Sequence, residues 1–391
     1  MEMLELVETI RAEEADIHRL FDGDKPIRNA AKSPSYMAGL VEAVKLIHDV
    51  KDGRRPLYYL KEAMTTSDFP LFFADVLDRQ LLAEYKAWPA TWPAYCNRST
   101  VPDFRAVKRY PQTYGVGAYL PAVNQQEEYA AESLVDRTAY TYSVAKYGRR
   151  VQMAFETMVN DDLGFFDRLP KDLARSAYIS EERFVTDLFC GADGPDATFY
   201  AAGNTNVVTA NPALSISGLQ TAYTVLSAQK DGDGNPIYIN AVVLVVPPAL
   251  KVVAENILNA TQLEVTAEAA GGAYSGGAEQ RLITANWMRN NVRVIVNPWI
   301  PIIASNSNTN TSWFLFADAQ SGPPALELGF LRGYEAPQIF VKEPNQRRVG
   351  GAINVADGDF ETDTIQHKVR HIFGGCTLDP KMSVASNGSG A

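Results

Sequence analysis

Residues 138–190 read TAYTYSVAKYGRRVQMAFETMVNDDLGFFDRLPKDLARSAYISEERFVTDLFC, and the pattern changes period partway along. Up to Phe155 the stretch is rich in Tyr, Val and Thr. In an extended chain Tyr140, Tyr142 and Val144 share one face, and Thr141, Ser143 and Ala145 share the other. Asn160, Asp161 and Asp162 then offer helix caps, with acidic charge where the helix dipole favours it. A helix is predicted from there to about Phe189, with Pro170 marking a first turn or a kink.

Just upstream, DFRAVKRY (103–110) is a second strand-like piece, and the polar segment QQEEYAAES (125–133) lies between the two. Residues 100–155 are therefore expected to form a long hairpin with two solvated faces. Such a hairpin is marginal alone in water and gains stability when something covers it, which points to a neighbouring subunit.

Residues 1–52 predict two amphipathic helices. Leu4, Val7, Ile10, Ile17, Leu20 and Phe21 form one apolar stripe, and Met37, Leu40, Val41, Val44 and Ile47 form the next, with Gly53 as a stop. The turn-rich FDGDKPIRNAAKSPS connects them. A third helix starts at Ser67 or Asp68, accepts Pro70 in its first turn and carries Phe72, Phe73, Val76, Leu77 and Leu81 to about Tyr85. AWPATWPAYC follows, and its Trp88 and Trp92 are expected to anchor this arm by burying their rings.

On the other side, residues 214–300 alternate between helical and apolar strand-like stretches: SISGLQTAYTVLSAQ, INAVVLVV, PPALKVVAENIL and VRVIVNPWI. This is a compact unit of mixed helix and sheet whose strand directions stay open. SWFLFA (312–317), PQIFVK (337–342) and TIQHKVRHIF (364–373) are further strands, and SVASNGSGA closes the chain as a flexible or pinned tail.

The chain has 391 residues, 46% of them hydrophobic and 21% charged, enough for two or three folded domains. Apolar runs such as Ala241–Val246 fall short of the roughly 20 residues that cross a bilayer, and the start lacks the features of a signal peptide, so a cytoplasmic, non-membrane protein is expected. Cys96, Cys190 and Cys376 are odd in number and far apart, which suits reduced thiols better than disulfides or a metal site. A net charge of −10 argues against broad neutralisation of nucleic-acid phosphates.

No catalytic, cofactor or metal site is assigned. DGDGN (231–235) begins like a calcium loop but has Pro236 where the sharp turn needs glycine, so a turn is expected. AGGAYSGGAEQ (270–280) lacks the Lys-Ser or Lys-Thr of a phosphate loop. His367 and His371 share one face of a strand, but roughly 13 Å apart, too far for one metal. Asp161-Asp162 and Glu181-Glu182 are adjacent on helices and read as capping or solvated groups. Arg149-Arg150 and Arg347-Arg348 could meet DNA or acidic subunit interfaces.

Three stretches resemble the major capsid proteins of tailed bacteriophages with the Hong Kong 97 fold: TTSDFPLFFADVLDRQLLAEY (65–85), VAKYGRRVQMAFETMVNDDLGFFDRLPKDLARSA (144–177) and FETDTIQHKVRHIFGGCTLDPKMSVASNGSG (360–390). The resemblance implies an α+β fold in five parts. These are an N-terminal helical arm (1–99), an extended β-hairpin loop (100–155), a peripheral domain with a long spine helix (156–205), an axial domain (206–329), and return strands of the peripheral domain with a C-terminal tail (330–391).

It further implies a non-enzymatic virion protein, assembled in the bacterial host cytoplasm into pentamers and hexamers of an icosahedral shell. Portal protein and decoration or scaffold proteins are implied as neighbours, with packaged double-stranded DNA in non-specific proximity. In such relatives the extended loop lies over the adjacent subunit, so Trp88, Trp92, Tyr140, Tyr142, Lys146, Arg149 and Arg150 are taken as inter-subunit contacts.

Some relatives crosslink a loop lysine to a neighbour's asparagine. Lys108 and Lys146 lie in that region, but with no buried acid evident nearby a noncovalent contact is expected. Many relatives also lose an N-terminal segment by proteolysis; residues 1–60 are read here as a retained arm. The rival readings are the shell of an encapsulating nanocompartment, which would hold enzyme cargo, and a soluble α/β enzyme with a pocket in residues 206–329.

Overall fold

The computed structural model describes residues 34–51, 54–55, 59, 69–88, 90–110, 122–123, 125, 140–154, 163–230, 234, 236–237, 239, 242–266, 281–319, 324–342, 359–362 and 364–390. The first predicted helix, the interior of the 100–155 loop, the caps at 160–162, the glycine-rich run and Arg347-Arg348 lie outside the described residues.

The longer helices are Pro34–Lys51, Phe69–Ala87, Leu163–Phe189, Ile216–Ser227 and Lys251–Asn259. The strands are β1 (Asn97–Val101), β2 (Val107–Arg109), β3 (Tyr140–Tyr142), β4 (Ala145–Ala154), β5 (Cys190–Gly191), β6 (Gly194–Pro195), β7 (Val242–Val246), β8 (Gln262–Thr266), β9 (Arg281–Ala285), β10 (Val292–Val296), β11 (Trp313–Ala317), β12 (Leu326–Leu331), β13 (Gln338–Val341), β14 (Thr364–Thr377) and β15 (Ser383–Ser386). The helix containing Pro170 runs unbroken from Leu163 to Phe189. The chain divides into two compact units, residues 1–89, 145–180 and 331–373, and residues 90–144, 181–330 and 374–391.

The first unit is built on β4 paired antiparallel with β14, from Ala145 opposite Phe373 to Ala154 opposite Thr364. β13 lies on the other edge of β14, with Gln338 opposite Arg370 and Phe340 opposite Lys368. Directly opposed residues share a face. Val151, Val369 and Ile339 therefore fall together, and they pack under Leu81 and Tyr85 of one helix and Leu169, Leu173 and Ala174 of another. Leu81 of this cluster is fully buried, and so is Val76 on the same helix.

The second unit contains a four-stranded mixed sheet in the order β10-β7-β11-β15. β10 runs parallel to β7, whereas β11 is antiparallel to both β7 and β15. The run Val242–Val246 is buried at every position, as a continuous apolar strand covered on both faces must be. Leu219, Ala222 and Leu226 of one helix and Ala254, Ile257 and Leu258 of another join Leu244, Leu315 and Val384 in one cluster. On the opposite side Phe314 and Phe316 meet Phe189 edge-on at 4.8 and 5.2 Å, and Tyr95 stacks on Phe316 at 5.1 Å.

Ser215 caps the helix Ile216–Ser227 by accepting from the Gly218 amide at 3.1 Å. Residues 374–391, the chain end, fall in the second unit. Ser383–Ser386 is fully buried as β15, because its alternating small side chains fit against β11, and the tail is thereby pinned.

Candidate subunit interface

The root of the long loop is held by a buried carboxylate. β2 and β3 pair antiparallel, with Arg109 opposite Tyr140 and Val107 opposite Tyr142, and so bring the two ends of the loop together. Glu327, 4% exposed in the otherwise apolar strand β12, turns its Oε1 to this pair. That oxygen accepts from the Tyr142 hydroxyl at 2.5 Å, the Arg109 Nε–H at 2.6 Å and the Ser99 hydroxyl at 2.8 Å. Three donors, one of them charged, satisfy a carboxylate that would otherwise be costly to bury.

Burial, together with the carboxylate it donates to, pushes the Tyr142 hydroxyl up to about 12, so it stays a donor across the ordinary pH range. For Arg109 burial works in the opposite sense, but the bond to Glu327 outweighs it and holds the guanidinium above its usual value. Two glycines make room for the arrangement. A Cβ on Gly329 would stand 2.4 Å from the Tyr142 hydroxyl oxygen, and one on Gly374 would stand 2.3 Å from the Ser143 carbonyl oxygen.

The sequence shows no buried acid beside Lys108; in the fold the buried Glu327, about two hundred positions away, bonds to Arg109, the residue after Lys108. Its Oε1 is taken up by Arg109, Tyr142 and Ser99, while Lys108 and Lys146 are exposed. The lone charge in LELGFL was the one signal for this site.

A second pair of carboxylates fixes the proline-rich segment. Glu182 accepts from the Thr91 amide at 2.7 Å, the Thr91 hydroxyl at 2.8 Å and the Trp92 amide at 3.3 Å, capping the short turn Trp92–Ala94. Glu181 accepts from the Trp92 indole N–H at 3.2 Å. The capping role expected of Glu181-Glu182 is thus realised on another element, and the solvated alternative is overturned, since both side chains are buried.

The seven proposed contact residues separate into two groups. Trp92 is 2% exposed, with its ring beside Phe330 at 6.1 Å, and Tyr142 is buried at the loop root. Both rings are buried against residues of their own chain. Trp88, 39% exposed, stacks on Tyr178 at 5.8 Å with Arg175 over its ring. Tyr140 is half-buried, and Lys146, Arg149 and Arg150 are exposed along β4.

His367 and His371 are both buried on β14. Burial lowers His367 to about 4, and its Nδ1 has no hydrogen-bond partner among the described residues. The three cysteines are free, and burial raises all three. Lys230 and Pro236 form an isolated antiparallel bridge and Gly234 has a φ of +88°; the other residues of DGDGN lie outside the described residues. Among the described residues no group of acidic, His or Cys side chains could hold a metal, and no helix is long and apolar enough to cross a membrane.

A family model described as phage capsid protein matches residues 138–385, and the chain belongs to that family. It is a capsid shell protein with an α+β fold. No curated protein matches. Similar solved structures include a phage-related protein from Bordetella bronchiseptica RB50 (9% identity, 80% of this chain and 97% of that one, TM-score 0.44). Others are the holo-SrpI encapsulin complex from Synechococcus elongatus PCC 7942 (11%, 75% and 85%, 0.42) and Gordonia phage Cozz (12%, 75% and 84%, 0.39).

Proposed function

We propose that this chain is the major head protein of a tailed phage, whose copies associate as pentamers and hexamers of an icosahedral shell around double-stranded DNA. The carrying observation is the family match over 138–385, which takes in the strand leading out of the long loop, the long helix and parts of both units. The loop root supports the same reading. A buried ionic anchor gives the hairpin a fixed point of departure, while its exposed flanks await a covering surface. The unit containing the four-stranded sheet corresponds to the axial domain, and the unit containing β4, β13 and most of β14 to the peripheral domain. Acidic overall charge suits an enclosure that holds DNA without gripping it.

Expression of the full chain, followed by sedimentation and negative-stain electron microscopy, tests this. Closed shells or capsomer rings are the expected result. A uniformly small species that stays small when the neighbouring viral assembly proteins are added would overturn it.

A further inference from the structure

Of all the asparagines in the chain, only Asn387 is followed by glycine. That pairing is chemically labile, because no side chain hinders the glycine amide nitrogen as it closes on the asparagine Cγ. The new N–Cγ bond expels the side-chain nitrogen as ammonia and leaves a cyclic imide. Water then opens the imide. Opening at Cγ gives aspartate, and opening at the main-chain carbonyl gives isoaspartate, whose backbone is longer by one methylene.

The fold closes this route. β15 lies between β11 on one edge and Val207 on the other. The Ala385 amide donates to the Asn206 carbonyl and the Val208 amide donates to the Ala385 carbonyl, both at 3.0 Å. Just beyond the strand, the Gly388 amide, which would have to attack, donates to the Ser386 hydroxyl at 3.1 Å. The Asn387 side-chain oxygen accepts from the Ser389 amide at 2.9 Å.

The peptide between the reacting groups is held as well. The Asn387 carbonyl accepts from the Thr311 hydroxyl at 2.8 Å, and the Asn387 amide donates to the Asn211 side-chain oxygen at 3.4 Å. Gly388 has a φ of +71°, and a Cβ there would collide with the Thr311 carbonyl oxygen. The Gly390 amide donates to the Asn211 carbonyl at 2.8 Å. Turning the Asn387–Gly388 peptide to bring its nitrogen onto Cγ breaks these bonds, so the reaction runs through the opened segment.

We propose that Asn387 is a site of spontaneous deamidation, latched while residues 383–390 are docked and released when they leave. Its rate then records how often β15 opens. An isoaspartyl linkage brings an extra backbone atom to a place where Gly388 has no spare room, so a chain modified while open does not recover the docked register. The inference rests on the fold of the second unit alone and is independent of the shell reading.

Incubation of the full-length protein in water enriched in heavy oxygen tests this, with incorporation at Asn387 read by peptide mass. At one pH and temperature, the folded protein is expected to react at least about tenfold more slowly than the same chain in denaturant. Ser386→Ala frees the Gly388 amide and Thr311→Val frees the Asn387 carbonyl. Each should raise the folded rate roughly threefold and leave the rate in denaturant unchanged.

A second measurement separates charge from backbone length. Protein deamidated in denaturant and then refolded is followed by hydrogen exchange across residues 383–386. The isoaspartyl form should lose protection there, whereas Asn387→Asp, with the same added charge on an ordinary backbone, keeps it. Equal rates in the folded and denatured states, a folded rate that neither variant changes, or full protection of the isoaspartyl form would overturn the proposal.

Discussion

The two main sheets follow opposite rules. The sheet of β10, β7, β11 and β15 is covered on both sides, by two helices on one face and by Phe189, Tyr95 and Tyr200 on the other. The sheet of β4, β14 and β13 packs under helices on one side and carries Arg150, Lys368 and Arg370, with the buried Ile372, on the other. The first has buried its surface within the subunit. The second sets the like charges Arg150 and Lys368 directly opposite one another at exposed positions, which costs stability within the subunit.

The largest effect is expected where burial is complete. Phe316→Ala removes a ring that contacts both Phe189 and Tyr95, and should cost about 4 kcal/mol in denaturant unfolding. A loss below about 1 kcal/mol would mean that this sheet is not the stable half.

Acid should reach the other sheet first. Burial holds His367 neutral, with its folded pKa near 4 against an ordinary value of 6.5. Its contribution is present in full above pH 6.5 and is lost as pH falls through that value towards 4. The total is on the order of 3 kcal/mol. His367→Leu should flatten the pH dependence of the melting temperature across this window.

At the loop root, Arg109→Met leaves the Glu327 carboxylate buried without its cation. Because Arg109 is partly exposed, the expected cost is about 2 kcal/mol, below the range for fully buried pairs. Limited proteolysis should show faster cleavage between residues 110 and 139. Tyr142→Phe removes one bond to the same carboxylate at about 1 to 2 kcal/mol, again read by unfolding. Smallest of all, Arg150→Gln should change subunit stability by no more than about 0.5 kcal/mol, in the stabilising direction.

How much of this was legible in the sequence depended on where each signal lay. Period and composition carried the helices Phe69–Ala87 and Leu163–Phe189 and the strand Val242–Val246, because the burial of a local pattern is visible in the pattern itself. The parallel pairing of β10 with β7 and the joining of β15 to β11 depend on partners far along the chain.

The carboxylate sites were missed for the same reason. Glu327 is a lone acid until Arg109, Tyr142 and Ser99 are brought to it, and Glu181-Glu182 look solvated until the Thr91–Trp92 segment lies over them. Trp92 and Trp88 share the same proline-rich stretch, yet one is an internal anchor and the other is exposed. Only the fold distinguishes them.

Hydrogen exchange followed peptide by peptide, in assembled particles and in dissociated subunits, tests the division of labour most directly. The account predicts that assembly slows exchange in β4 and at the exposed ends of its pairing with β14, and leaves the already protected β7 and β11 unchanged. Equal exchange of β4 in the two states, or protection gained instead by β7, would contradict it.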